Sequence, residues 1–158
     1  MVPPMNAIYQ AESAPEIHAV RALFVEYAES LDYKLCFQDF EAELARLPGN
    51  YASLLLADQA GAVAGCAGLF DQGGGDCELR RLYVRSEFRG RALGRRLAEA
   101  ILEAAREIGC ARVTLETLPS MKAARNLYSD LGFTNADPAD SAAADEPTDA
   151  PTVMRLVL

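Results

Sequence analysis

A chain of 158 residues has room for one hydrophobic core, so a single domain spanning 1–158 is expected. Its composition, 51% hydrophobic and 24% charged, is that of a globular protein; no apolar run reaches the roughly 18 residues of a membrane span, and a net charge of −8 disfavours a nucleic-acid partner. The start, MVPPMNAIYQ, shows no secretory leader, and four scattered cysteines with one histidine, His18, make a poor metal site; the expectation is a cytoplasmic protein with buried free thiols, no metal and no membrane contact.

Residues 6–11 read as a first strand. Ser13 and Glu16 form a capping box around Pro15, opening a helix over 14–31 with Ile17, Val20, Phe24, Tyr27, Ala28 and Leu31 on one face. His18, near that start, reads as a surface or packing residue. A second helix runs from Phe37 to Leu47 and stops at Pro48-Gly49-Asn50. The linker between them is aromatic: Tyr33 and Phe37 either anchor it to the core or wall an acceptor pocket. Residues 51–57 and 62–70 are strands joined through Asp58-Gln59-Ala60-Gly61, and a second turn spans Asp71 to Asp76.

The most informative stretch is Glu78 to Leu102. Alternation puts Glu78, Arg80, Leu82 and Val84 on one face of a strand and Leu79, Arg81 and Tyr83 on the other. A turn holding Gly90 and Gly94 then leads into an amphipathic helix with Leu93, Leu97, Ile101, Ala104, Ala105 and Ile108 on its apolar side. A strand, a glycine turn and a helix in that order aim unpaired N–H groups and the positive end of a helix dipole at one point, which suits phosphate. Seven of the fifteen basic residues (Arg80, Arg81, Arg85, Arg89, Arg91, Arg95 and Arg96) lie in the seventeen positions 80–96, opposed there only by Glu87. An acidic protein with one basic corner is suited to a discrete anion rather than a nucleic-acid backbone. The nucleotide-triphosphate loop is ruled out because Arg95 and Arg96 follow Gly94 where Lys and Ser or Thr belong, and the three glycines of the dinucleotide fingerprint are absent.

Gly109 closes that helix, 111–118 alternates as a strand, and Ser120 caps a helix carrying Ala124, Leu127, Tyr128 and Leu131 up to Gly132. Residues 135–151 are acidic, rich in Ala and Pro and without a basic residue, which suits a mobile loop, and 152–158 is a closing strand. The sum is an α/β (α+β) fold: a mixed sheet of six or seven mostly antiparallel strands with helices on both faces.

The segment from Arg89 to Gly94 resembles the acetyl-CoA loop of the GNAT superfamily of N-acetyltransferases, Gln/Arg-x-x-Gly-x-Gly/Ala, with Ala92 where the family usually has its first Gly. If that position requires positive φ, Ala is strained there by about 1 kcal/mol. MKAARNLYSDLGF is similar to the family's A-x-x-L-Y-x-x-x-G-F segment, with Met121 where an Asn is frequent. The resemblance covers residues 5–158, its specific motifs 78–97 and 120–133, and points to a bacterial single-domain member.

The resemblance implies a set of roles. Backbone N–H groups of Gly90, Arg91, Ala92, Leu93, Gly94 and Arg95, with Arg89 beside them, would wrap the pyrophosphate of acetyl-CoA as acetyl donor. Leu82, Tyr83 and Val84 would pair with pantetheine across a gap to strand 111–118, the Leu82 N–H polarising the acetyl carbonyl. Glu78, eleven residues before Arg89, would be the base, acting through water from roughly 13 Å along the same strand face as Leu82; Glu116 is the substitute. Tyr128 would return a proton to the thiolate. Tyr33, Phe37 and Glu116 would line the acceptor pocket.

The reading is a GNAT-like enzyme that acetylates a primary amine of a small molecule. A non-catalytic acyl-CoA-binding sensor or interaction module, and a protein N-terminal or lysine acetyltransferase, stay open, as do monomer and homodimer.

Overall fold

A computed structural model describes residues 6–30, 37–90, 92–117, 121–135 and 152–158. The elements run β1 (Asn6–Gln10), α1 (Ala14–Ser30), α2 (Phe37–Arg46), β2 (Tyr51–Gln59), β3 (Ala62–Gly73), β4 (Asp76–Val84), α3 (Leu93–Glu107), β5 (Arg112–Thr117), α4 (Lys122–Asp130), β6 (Thr134–Asn135) and β7 (Thr152–Val157). The described strands form one sheet in the order β1-β2-β3-β4-β5-β7-β6, antiparallel except for β4 and β5. No described helix is long and apolar enough to cross a membrane.

Local chemistry explains most of these boundaries. The capping box forms reciprocally: the Ser13 N–H donates to Glu16 Oε1 at 2.9 Å and the Glu16 N–H to Ser13 Oγ at 3.3 Å. The two hairpins turn on two residues each, Ala60-Gly61 and Gly74-Gly75, all four with positive φ. Such turns match the twist of paired strands, so β2 and β3 continue two and three residues beyond their predicted ends. Gly109 and Gly132, both at positive φ, close α3 and α4. Residue 121, rather than Ser120, is the N-cap of α4; Ser120 lies outside the described residues, as do Tyr33 and 136–151 of the predicted acidic loop.

The sheet separates two cores. On one face, α3 and α4 pack Leu97, Ile101 and Tyr128 against Leu69, Leu79 and Leu115. On the other, α1 and α2 pack Leu23, Phe24 and Phe40 against Leu54, Leu56 and Cys66. This is the predicted architecture.

The predicted alternation of β4 fails at one point. Cys66 pairs with Tyr83 and Gly68 with Arg80, so Ala67 faces two residues, Arg81 and Leu82. That is a β-bulge, and Arg81 takes a left-handed φ of 58°. The extra residue flips the pleat. Leu79, Leu82 and Val84 pack on the α3 side, whereas Arg80, Arg81 and Tyr83 turn toward α1 and α2. Glu78, bonded to Arg80, therefore does not share a face with Leu82. A left-handed non-glycine residue costs roughly 1 kcal/mol or more, so the surrounding structure must hold Arg81 in place.

The expectation of free thiols holds for Cys66, which is buried, but Cys77 and Cys110 form a disulfide. Sequence spacing hides this pair because their neighbourhood is tertiary: the crossover through α3 lays β5 beside the start of β4, with Cys77 level with Val113. The bridge closes a loop of sequence separation 33. In the chain-entropy account that constrains the unfolded state by about 4 kcal/mol at most. Reducing agent should lower the unfolding free energy by about 2–4 kcal/mol, and alkylation of the unreduced, denatured protein should label Cys66 but neither Cys77 nor Cys110. Equal labelling of all three would show that the bridge does not form.

Candidate functional site

The site begins where β4 and β5 stop pairing. Their parallel register holds for only three residue pairs, the last being Glu78 with Thr114. Beyond it β5 stays zipped to β7 on its other side, and β4 stays paired with β3 as far as Val84. The edge of β4 that faces β5 is therefore open from Leu79 onward, and a cavity of about 630 Å³ lies at the divergence. This is the predicted splay.

The floor of that cavity is the turn from β4 into α3. A single 3-10 turn, Ser86–Phe88, carries the chain to Gly90, whose φ is 81°. Ala92 then adopts φ 61° and ψ 18° as the N-cap of α3, with no side-chain cap. Among the described residues, the first amide of the helix with a carbonyl partner is that of Arg96, which donates to the Ala92 carbonyl. The N–H groups of Leu93, Gly94 and Arg95 precede it and have no carbonyl within the helix to reach. With no side chain capping them, they leave the positive end of a fifteen-residue helix facing the cavity. Gly94 lies in this floor, where a Cβ would meet Leu82, Leu127 and Val84 only at the ordinary contact distance of 3.8–3.9 Å.

Most of the predicted residues converge here. Leu82, Tyr83 and Val84 of β4, Arg89, Gly90, Ala92, Leu93 and Gly94 of the turn, Glu116 of β5 and Tyr128 of α4 all line the cavity. Arg95 does not; it points along α3 to Glu99 at 3.7 Å. Arg91 and Tyr33 lie outside the described residues, and so does the Phe37 side chain. Glu78 is not part of the lining: its carboxylate accepts from Arg80 Nε at 2.6 Å and from Gln72 at 3.3 Å.

The arginine cluster divides. Arg80, Arg81 and Arg85 turn to the α1/α2 side and pair with acids distant in sequence: Glu43 takes Arg81 through two nitrogens at 3.0 and 3.1 Å, and Glu26 takes Arg85 through two at 2.7 and 3.0 Å. Arg85 holds the Glu26 carboxyl below its usual pKa, chiefly by hydrogen bonding. Only part of the basic run thus lies at the turn into α3: Arg89 lines the cavity while donating to the Val84 carbonyl at 3.0 Å.

Tyr27, Arg81 and Met121 also line the cavity but were not predicted to. Tyr27 was legible only as an apolar-face residue of α1, and nothing in the sequence announces the bulge that delivers Arg81. Burial raises the pKa of the Tyr27 hydroxyl, with the Arg81 charge pulling it down and Glu116 adding to the rise. Burial also pushes Tyr128 well above the ordinary phenol value, with Tyr27 a lesser cause. Its ring packs on Phe133 with centroids 5.7 Å apart. Tyr128 is therefore a neutral hydroxyl throughout the physiological range.

The family described as "Acetyltransferase (GNAT) family" matches residues 17–133. An uncharacterized N-acetyltransferase of Schizosaccharomyces pombe is 32% identical over 145 residues, covering 87% of this chain and 89% of its own. Among solved structures, an acetyltransferase of the GNAT family from Staphylococcus aureus superposes with a TM-score of 0.77 at 17% identity, covering 97% of this chain and 99% of its own. A Salmonella typhimurium structure that carries its cofactor acetyl-CoA gives a TM-score of 0.72 at 19% identity, covering 98% and 95%.

The left-handed Ala92 yields a direct test. Glycine occupies φ near 60° without a Cβ penalty but loses more entropy on folding, so Ala92→Gly should gain about 0.5–1 kcal/mol net. The denaturant midpoint should rise at constant m; a fall would mean that Ala92 is not left-handed in solution.

Proposed function

The chain is an N-acetyltransferase of the GNAT family, and from that premise we propose that it transfers the acetyl group of acetyl-CoA directly to a primary amine of a small molecule. The observation that carries the reading is the open edge of β4 beside a helix terminus without a side-chain cap. A diphosphate fits the terminus because it accepts from several main-chain N–H groups at once. An extended, amide-bearing chain such as pantetheine fits the open edge because it can continue the sheet. A volume of about 630 Å³ is on the scale of small-molecule sites.

The chain's own groups suit the chemistry. Gly90 and the amides of residues 92–95 bind and orient the donor, converting an encounter into a fixed approach. The Leu82 N–H, on the unpaired edge, donates in this scheme to the thioester oxygen as its negative charge grows. The amine attacks the carbonyl carbon, forming the C–N bond as the C–S bond breaks. Its proton leaves toward Glu116, the carboxylate that lines the cavity, and the thiolate takes one from Tyr128. The high proton affinity of Tyr128 is no obstacle, because the same burial raises that of the thiolate. Glu78 serves in this scheme as the ion-pair partner of Arg80.

Two variants test these roles in a thiol-release assay with an amine panel. Tyr128→Phe should still bind acetyl-CoA but lose turnover by about 10²-fold or more; unchanged rates would remove Tyr128 from the mechanism. Glu116→Gln should fall by about 10²-fold near pH 7 and approach the wild type as the amine deprotonates in solution at higher pH. Glu78→Gln should lose less at every pH. The reverse order would return the proton-accepting role to Glu78.

A further inference from the structure

Resting on that acetyl-transfer reading, we propose that the amine acceptor carries a carboxylate, as an amino acid does, and that Arg81 selects it. Arg81 is the cationic residue of the cavity wall on the α1/α2 side, opposite the α3 terminus across the sheet. It stands in the left-handed conformation at the bulge of β4, which directs its side chain to that face. Such backbone geometry is held only where neighbours enforce it, and it is frequent where a side chain must be aimed.

Glu43 supplies the enforcement. Its two oxygens take Arg81 Nη2 and Nε, fixing the plane of the guanidinium, while Phe40 lies 5.1 Å from its centre. Nη1 is the remaining edge, and no described residue hydrogen-bonds to it. A planar fork held on one side presents its other side at a set angle, the arrangement that recognises a carboxylate. Glu43 does not neutralise Arg81 alone. It also accepts from the Tyr51 hydroxyl at 2.8 Å and lies 3.7 Å from Arg80 Nη1. Arg80 is itself paired with Glu78 at 2.6 Å, so what this wall presents is the oriented fork of Arg81 and not a net positive charge.

The opposite wall supplies the complement. Glu116, on β5, lines the same cavity, and Tyr27 is within electrostatic reach of both Arg81 and Glu116. Ser30 also lines this end, but its hydroxyl already donates to the Tyr27 carbonyl at 2.7 Å. A molecule with an amine at Glu116 and a carboxylate at Arg81 satisfies both walls. An acceptor with a second positive charge in place of the carboxylate would find no partner at Arg81.

Matched acceptors separate the alternatives: leucine, leucinamide and 3-methylbutylamine, and serine, serinamide and ethanolamine, each assayed by thiol release from acetyl-CoA. In at least one series the amino acid should exceed its amide and its decarboxylated amine by about 100-fold in kcat/KM. Arg81→Gly should reduce that ratio to under about 3-fold. Glycine suits the backbone at this position, and Glu43 keeps Tyr51 and Arg80, so the variant should fold and retain its thermal shift with acetyl-CoA. Amides or amines turned over as well as the acids, or a ratio unmoved by Arg81→Gly, would overturn the carboxylate role while leaving acetyl transfer intact. A second readout needs no turnover: with coenzyme A present, N-acetylleucine should stabilise the protein and N-acetylleucinamide should not, and Arg81→Gly should abolish the difference. If no amine releases thiol but this difference is seen, the carboxylate site stands and the transferase reading falls. Equal effects of the two ligands would overturn the carboxylate site.

Discussion

Past Glu78 the fourth strand keeps one neighbour and loses the other, and every feature of the site follows from that parting. A strand edge left without a partner inside a folded protein has N–H and C=O groups that must find something to bind. Here they face a cavity instead of solvent at the rim of the sheet. The two strands cannot close on each other because each is committed elsewhere: β4 to β3 as far as Val84, and β5 to β7 along its length. Their first turns are tied by Cys77 and Cys110, so the fork is closed at its base and open at its mouth.

The mouth has two unlike sides. On the α3 side it offers main-chain amides at a helix terminus, with apolar walls from Leu82, Leu127 and Tyr128. On the α1/α2 side it offers Tyr27 and an arginine oriented by a glutamate. The bulge at Arg81 produces this division, because without its extra residue Leu82 would point with Glu78 and Arg81 with Leu79. A donor held mainly by backbone on one side and an acceptor met by side chains on the other is a division that lets the acceptor specificity change while the donor site persists.

The parts of the molecule governed by local chemistry were legible in the sequence. The capping box at Ser13 and Glu16, the hairpin turns, the stops at Gly109 and Gly132 and the strand-turn-helix corner follow from residue types at fixed offsets. So did about half of the cavity lining, the part that lies mainly on that corner. What stayed hidden depends on tertiary pairing. Arginine is an ordinary strand residue with no signature for left-handed φ, so the flip at Arg81 cannot be read from β4 alone. The partners of Arg81 and Arg85, Glu43 and Glu26, lie 38 and 59 residues away, which is why the whole basic run looked like one phosphate-binding patch. Cys77 and Cys110 became neighbours only once the parallel crossover was known.

The account stands on the unpaired edge of β4 and the terminal amides of α3 gripping the acetyl donor. Amide hydrogen exchange, followed residue by residue with and without acetyl-CoA, tests that most directly. Protection should appear together at Leu82 and Val84 and at Gly90 and residues 92–95, with little change at Tyr83, whose amide faces β3, or along β1 and β2. Binding of acetyl-CoA with those amides exchanging as freely as before would contradict it.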